Sequence, residues 1–541
     1  MTKSSKLFCG VSGLVGLALS CTPVGASPLP VGLTGAPVEA KFSAGALKGV
    51  SSDGVESFLG VPFAQPPLGA LRWKAPAPSA KWDGVRAADK YGPACPNPRS
   101  QDNVSEDCLY LNVQRPAGLK DGDTRPVLVF VHGGSLTAGA TNSYDMAPLV
   151  RENGVIAVSM GYRLGVLGFL GHPELTKEGG GASGNYGLMD QQLALKWVQD
   201  NIAAFGGDPT RVTIQGESAG GWSICGHLLS PGSTGLFQQA IMESGACDPN
   251  SLRAIETRGG VIAENVGCDK ASDVLACLRA TDPNKLVKSG FDTDFLARFA
   301  YGTPTLPLPA DMALAQGKVN HVPTLLGFNH DEARIFTVAA IGWSKLKYYQ
   351  WAYDMLMRHA DIALEHYPWP ENATETTAAE LMGAVATDSG GMALIGGCSQ
   401  IRLTQTLSLQ QPVYSFRFDM RDGPGLVSAP NFGTGATHGA ELPYLFPSLG
   451  GVAPKFNDEQ KALATQMKKQ WGAFVRTGSP NGDYLPTWPS FNLTGDTMAL
   501  TTPQSHTISL RDLREQSKCD LWDLAGVPAR LAIDLSIKAA K

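Results

Sequence analysis

The chain has 541 residues, with 44 basic against 49 acidic side chains and a net charge of -5. Hydrophobic residues make up 43% and charged residues 17%, enough apolar surface for a sizeable core and too little charge for a disordered chain. No basic run or interleaved aromatic stripe marks a nucleic-acid surface, and no stretch beyond the N-terminus is apolar enough to span a bilayer, so neither a nucleic-acid partner nor a transmembrane segment is expected.

At the N-terminus, Lys3 and Lys6 precede an apolar stretch from Leu7 to Ser20, and Val24-Gly25-Ala26 then offers small residues for cleavage. The stretch is too short to cross a bilayer, and the order is that of an export signal. The expected division is a signal peptide over 1–26 and one catalytic domain over 27–541, secreted or periplasmic. The rival is a lipid anchor on Cys21, although Ala18 stands where a lipoprotein signal usually has leucine. Residues 27–40 are rich in Pro, Gly and Ala and read as an extended leader.

Eight of the ten cysteines follow the signal, and export permits disulfides. Short gaps favour Cys95–Cys108 and Cys268–Cys277 as local loops, though spacing alone does not fix connectivity. There is no CxxC pair and no HExxH, so a metal site is disfavoured and no cofactor is expected.

Further along, short β-branched runs alternate with helical patterns, the α/β signature. Val127 to Val131 and Val155 to Val158 read as buried strands. From Leu188 to Phe205 the apolar spacing is helical, until Gly206-Gly207-Asp208-Pro209 stops it. Arg211 to Gln215 is another strand. It runs into Gly216-Glu217-Ser218-Ala219-Gly220, and Trp222 to Leu229 is helical again.

That strand, G-x-S-x-G, helix order is a nucleophile elbow. A serine on a sharp strand-to-helix turn needs neighbours without bulky side chains, and the turn places its hydroxyl at a helix N-terminus, where negative charge is stabilised. Serine alone is a weak nucleophile and needs a base. The chain order for such a triad is serine, acid, histidine. Of the histidines beyond residue 331, His438 lies in the Gly-flanked loop Gly435-Ala436-Thr437-His438-Gly439 and is the candidate base. His359 and His366 fall in a helical region and read as surface residues, and His506 has no assigned role. The acid should follow the strand-like stretch ending at Gly327, where Asp331 and Glu332 stand side by side. Pattern alone does not choose between them. His132-Gly133-Gly134-Ser135 follows the strand Val127 to Val131 and is the candidate oxyanion loop, with Ala219 as a further backbone donor.

Together these residues resemble the type-B carboxylesterase and cholinesterase family. Phe58-Leu59-Gly60-Val61-Pro62-Phe63-Ala64-Gln65-Pro66-Pro67 is similar to its N-terminal signature, Glu106-Asp107-Cys108-Leu109-Tyr110-Leu111-Asn112-Val113 to its second, and Phe205-Gly206-Gly207-Asp208-Pro209 leading to Gly216 through Gly221 to its active-site signature. The resemblance implies an α/β-hydrolase fold with a large, mostly parallel sheet and a carboxylesterase activity on a small-molecule ester. It implies Ser218, Glu332 and His438 as the triad and Gly134, Ser135 and Ala219 as the oxyanion donors. Ser135 departs from the usual glycine, and its side chain is expected to narrow or polarise the acyl side of the pocket. Glu217 and Ser244 match positions behind the triad, and Arg72–Glu106 and Arg163–Asp190 match structural salt bridges. A third disulfide, Cys398–Cys519, is implied, leaving Cys225 and Cys247 free.

The loop between Cys95 and Cys108 is short, polar and without tryptophan. That argues against a choline site, where a tryptophan would bind the quaternary amine, and against an interfacial lipase lid. Members of the family act on xenobiotic esters, aryl esters and polycarboxylate side chains of mycotoxins such as fumonisins. The alternatives are a lipase on acylglycerols, or an inert binding or adhesion protein of the same fold.

Overall fold

The structure, a computed structural model, describes residues 32–99, 103–120, 122–293, 295–391, 395–424, 432–449 and 453–524. The proposed signal and Cys21 lie outside the described residues.

The described strands are β1 (Ala36–Phe42), β2 (Gly45–Ser52), β3 (Val55–Pro62), β4 (Val85–Ala87), β5 (Tyr110–Pro116), β6 (Arg125–Val131), β7 (Ile156–Met160), β8 (Gly207–Glu217), β9 (Gln239–Glu243), β10 (Asn250–Ser251), β11 (Ala300–Tyr301), β12 (Thr324–Asn329), β13 (Val413–Phe418), β14 (Thr497–Leu500) and β15 (His506–Ile508). Thirteen of them form one sheet in the order β1-β2-β3-β5-β7-β6-β8-β9-β12-β13-β14-β15, with β4 beside β2. From β7 across to β14 every neighbouring pair is parallel, and antiparallel pairs close both flanks.

A parallel strand must be joined to its neighbour by a crossover, so helices cover both faces and the strand is buried twice over. That is why β6 reads as an unbroken apolar run instead of an alternating one. Its residues still alternate in destination. Val127, Val129 and Val131 pack into one core, and Leu128 and Phe130 into the other. Strand β7 divides likewise, with Ile156, Val158 and Met160 on the first side and Ala157 on the second. A third cluster, around Tyr348, Trp351, Met382 and Trp522, packs helices of the C-terminal half beside Phe328.

The helix expected over Leu188 to Phe205 runs Tyr186–Asn201 and tightens to a 3-10 turn at Ile202–Phe205. Gly206 ends it with φ 80°, a left-handed cap that glycine adopts without strain. Of residues 27–40, expected as leader, 36–40 instead belong to β1, which pairs with β2 and edges the sheet.

Arg72 and Glu106 form a bidentate pair at 2.7 and 2.6 Å, and so do Arg163 and Asp190 at 2.8 and 2.7 Å. The disulfides Cys95–Cys108, Cys268–Cys277 and Cys398–Cys519 are formed. The expectation that Cys225 and Cys247 are free is corrected: they are joined, with Cα atoms 5.4 Å apart. Cys225 lies on the helix Ala219–Leu229 and Cys247 in the segment after β9, and the packing of that helix against β9 brings them within bridging distance. Alkylation of the denatured, unreduced protein is therefore expected to label none of the eight. Two labelled cysteines, mapped to 225 and 247, would contradict the bridge.

Candidate active site

The candidate residues gather at the C-terminal ends of the parallel strands, where open α/β sheets bind ligands. The loop 132–135 follows β6, Ser218 follows β8, Ser244 follows β9, Glu332 follows β12, and the His438 loop returns over β12 after β13.

Ser218 has φ 59° and ψ -123°, a strained conformation for a residue with a side chain. Its amide is anchored to the Glu243 carbonyl at 3.0 Å, and its own carbonyl accepts from the Trp222 amide at 2.9 Å, opening the helix Ala219–Leu229. Two glycines make the turn possible. A Cβ on Gly216 would stand 2.4 Å from the Gly220 carbonyl carbon, and one on Gly220 would stand 2.1 Å from the Val131 oxygen. Neither position tolerates a methyl group, which is the physical content of the G-x-S-x-G pattern.

The Gly-rich loop abuts this elbow: a Cβ on Gly133 would lie 3.1 Å from Ser218 Cβ. Gly134 (φ 109°) and Ser135 (φ 58°) take left-handed conformations, and Ser135 is exposed. Among the described residues, no hydrogen bond within the protein takes up the Gly134 or Ser135 amide. Ala219 begins its helix, where the first amides have no intrahelical acceptor. His132 supports the loop from beneath. Its Nδ1 lies 2.9 Å from the Gly133 carbonyl, its own carbonyl accepts from Tyr162 Oη at 2.8 Å, and burial pushes its pKa down to about 4, so the ring stays neutral.

Glu332 is buried and His438 half-buried. His438 Nδ1 lies 2.7 Å from Glu332 Oε2, while Glu332 Oε1 accepts from Ser244 Oγ at 2.5 Å and from the Asn329 amide at 2.8 Å. The neighbouring Asp331 turns away. It accepts from Arg421 at 2.8 and 2.9 Å and from the Ala436 amide at 3.1 Å, so it secures the loop bearing His438. The other face of the imidazole meets Glu217, with Nε2 to Oε1 at 3.3 Å. Among the described residues no hydrogen bond joins Nε2 to Ser218 Oγ. Such contacts commonly tighten only with substrate in place.

Burial opposes charge on the His438 ring, but the carboxylates of Glu217 and Glu332 outweigh it and raise its pKa to about 9. Burial raises Glu217 to about 7, with the Glu332 charge pushing the same way and His438 opposing. A base with this environment becomes neutral only as the pH rises. The expected kcat/KM therefore climbs through an alkaline limb that belongs to the Glu217–His438 pair. Removing a negative neighbour destabilises the imidazolium, so Glu217→Gln is expected to move that limb to lower pH by roughly one unit. A limb that stays in place would show that Glu217 does not act on His438.

Two further buried carboxylates were not singled out from the sequence. Glu243, raised to about 8 by burial, accepts from Trp471 Nε1 at 2.6 Å and Gln215 Nε2 at 3.1 Å. Glu441 accepts from Asn329 Nδ2, and burial, with the charges of Glu217, Glu243 and Glu332, raises it well above the ordinary carboxylate range. The one available signal was an acidic residue inside an otherwise apolar run; their proximity to Ser218 is purely tertiary.

The fold and this arrangement define an α/β-hydrolase, and the chain belongs to the carboxylesterase family, which it matches over residues 36–522. It is a carboxylic ester hydrolase. Among curated proteins it is 36% identical over 482 residues to a fumonisin B1 esterase of Sphingopyxis macrogoltabida, covering 84% of each chain. It is 33% identical to a para-nitrobenzyl esterase of Bacillus subtilis (strain 168), covering 83% of this chain and 91% of that one. A solved PNB esterase superposes with a TM-score of 0.74 at 32% identity, over 88% of this chain and 99% of the other.

Proposed function

We propose that the chain is an exported serine esterase that works through a Ser218-His438-Glu332 triad and an acyl-enzyme intermediate. The observation that carries the reading is the 2.7 Å contact of His438 with a fully hydrogen-bonded Glu332, set beside a serine held at a strained elbow. Neutral His438 takes the Ser218 proton as the oxygen attacks the ester carbonyl. The amides of Gly134, Ser135 and Ala219 bind the oxyanion. Glu332 holds the Nδ1 proton and stabilises the imidazolium, which then protonates the departing alcohol. Water, activated by the same ring, releases the acid.

Candidate substrates are xenobiotic esters and mycotoxin esters of the fumonisin type, a suggestion supported by the first relative's name. The test is treatment with a fluorophosphonate followed by peptide mass mapping: a single adduct on Ser218 is expected, and an adduct elsewhere would sink the assignment. Activity that jumps when a triglyceride exceeds its solubility would favour a lipase instead. Export over residues 1–26 is expected to leave a mature chain beginning at Ser27, and an intact Met1 on the exported protein would rule it out.

A further inference from the structure

The Gly-rich loop is held in a conformation that its residues do not favour. Ser135 and Leu136 both have φ 58°, in the left-handed region that side chains avoid, so contacts from elsewhere must hold them there. Those contacts fall on carbonyl oxygens. The His132 carbonyl accepts from Tyr162 Oη at 2.8 Å, and the Gly133 carbonyl faces His132 Nδ1 at 2.9 Å. The Gly134 carbonyl accepts from the Thr137 and Ala138 amides at 3.0 and 2.9 Å, and the Leu136 carbonyl from the Gly165 amide at 2.7 Å. The first and last of these grips come from one segment, residues 162–165, just past β7, which lies beside β6.

In a trans peptide the carbonyl and the next residue's N–H point in opposite directions. Whatever grips a carbonyl therefore sets the direction of the amide that follows it. For Ala219 the preceding carbonyl, that of Ser218, is held by the Trp222 amide at 2.9 Å, and for Ser135 the Gly134 carbonyl is held by two amides of its own loop. Gly134 differs, because the carbonyl before it is held by a side chain, the His132 ring. That ring is neutral, and since a carbonyl only accepts, its proton sits on Nδ1. A Cβ on Gly139 would stand 2.4 Å from Nδ1, so the ring is tightly packed on that side. Its face lies on the Tyr162 ring, with centroids 4.5 Å apart and planes 23° from parallel. Tyr162 is fully buried, and burial pushes its pKa up, so the hydroxyl remains a donor. One side chain thus holds His132 twice, by its carbonyl and by its ring.

We propose that Tyr162 is a positioning residue for ester hydrolysis: by holding His132 at its carbonyl and its ring, it fixes the Nδ1–H that orients the Gly133–Gly134 peptide, and so aims the Gly134 N–H at the oxyanion. Direction matters because a hydrogen bond weakens steeply as its angle closes, and the donor has to meet the oxygen where charge develops. This rests on the reading of Gly134, Ser135 and Ala219 as the oxyanion donors.

The experiment is Tyr162→Phe, which keeps the stacked ring and removes the hydroxyl, measured well below its melting temperature. On a 4-nitrophenyl ester kcat is expected to fall by about 10- to 100-fold, part of the cost of losing an oxyanion donor outright, with KM nearly unchanged. Two inhibitors separate aim from general loosening. Ser218 Oγ adds to a butyl trifluoromethyl ketone, its proton passing to His438, and the alkoxide oxygen enters the hole; the matching methyl ketone binds without that addition. The preference for the trifluoromethyl ketone should fall by the same factor as kcat, while affinity for the methyl ketone holds. A kcat or a preference within threefold of wild type overturns the proposal, and so does a rise in KM matched by weaker methyl ketone binding. If the variant does not fold, neutron diffraction from the wild type decides: a proton on His132 Nδ1 and a Tyr162 hydroxyl hydrogen directed at the His132 carbonyl support it, and a proton on Nε2 alone or a hydroxyl turned elsewhere overturns it. A wild type with no preference between the two ketones overturns the oxyanion reading itself. A wild type with the preference, kept in Tyr162→Phe, overturns the role of Tyr162 alone.

Discussion

Ser218→Ala is expected to lower kcat on a soluble 4-nitrophenyl ester by about 10⁴- to 10⁶-fold while KM changes little. The methyl group fits where the hydroxymethyl stood, and the elbow that strains residue 218 is held by glycine contacts and by the Glu243 carbonyl, none of which involves the hydroxyl. The variant should therefore fold and bind as the wild type does. What disappears is the covalent step, and the amides around Gly134 can supply only the residual rate. Steady-state kinetics alongside thermal melting would check this. A variant that is folded and retains a tenth of the activity would remove Ser218 from the mechanism.

Glu332→Gln should cost about 10³- to 10⁴-fold in kcat. The carboxylate accepts three hydrogen bonds, from Ser244 Oγ, the Asn329 amide and His438 Nδ1. Glutamine has one oxygen and one NH₂ group to place against them. With its oxygen toward Ser244 and Asn329, its NH₂ meets Nδ1, which must then be the unprotonated nitrogen. The ring proton moves to Nε2, the position that has to accept the serine proton, and the base is lost while its geometry survives. Asp331→Asn is the matching control. It removes charge from the Arg421 contact, and its effect on kcat should be far smaller. Comparable losses in the two variants, or a loss below tenfold for Glu332→Gln, would contradict the assignment of the acid.

The adjacent pair Asp331 and Glu332 shows where local pattern stops. Both lie just past β12, both are acidic, and spacing alone leaves the choice open. The resemblance to the carboxylesterases pointed to Glu332. In the structure the two side chains leave the backbone in different directions, one to the His438 ring and the other to Arg421.

Much of the fold was nevertheless legible. Parallel strands buried on both faces read as near-continuous apolar runs, and β6 and the first part of β7 are visible for that reason. The elbow is legible in part because Gly216 is fixed by a contact within a few residues, against Gly220, although Gly220 itself is required by the close approach of Val131 from β6. The helix stop at Gly206 is legible too, since it depends on that residue's own φ.

The features that escaped depend on approach across the fold. Cys225 and Cys247 carried no spacing signal, and their bridge exists because the nucleophile helix packs on β9. Glu243 and Glu441 stand far apart in the chain and come together under Ser218 only when β9, β12 and the His438 loop are assembled. By itself the sequence determined the class of fold, the serine at the elbow and the kind of reaction, since each rests on short-range sterics and hydrogen-bonding needs. Only the tertiary structure decided which carboxylates share the imidazole, because electrostatic interactions depend on distances in space that chain separation does not encode.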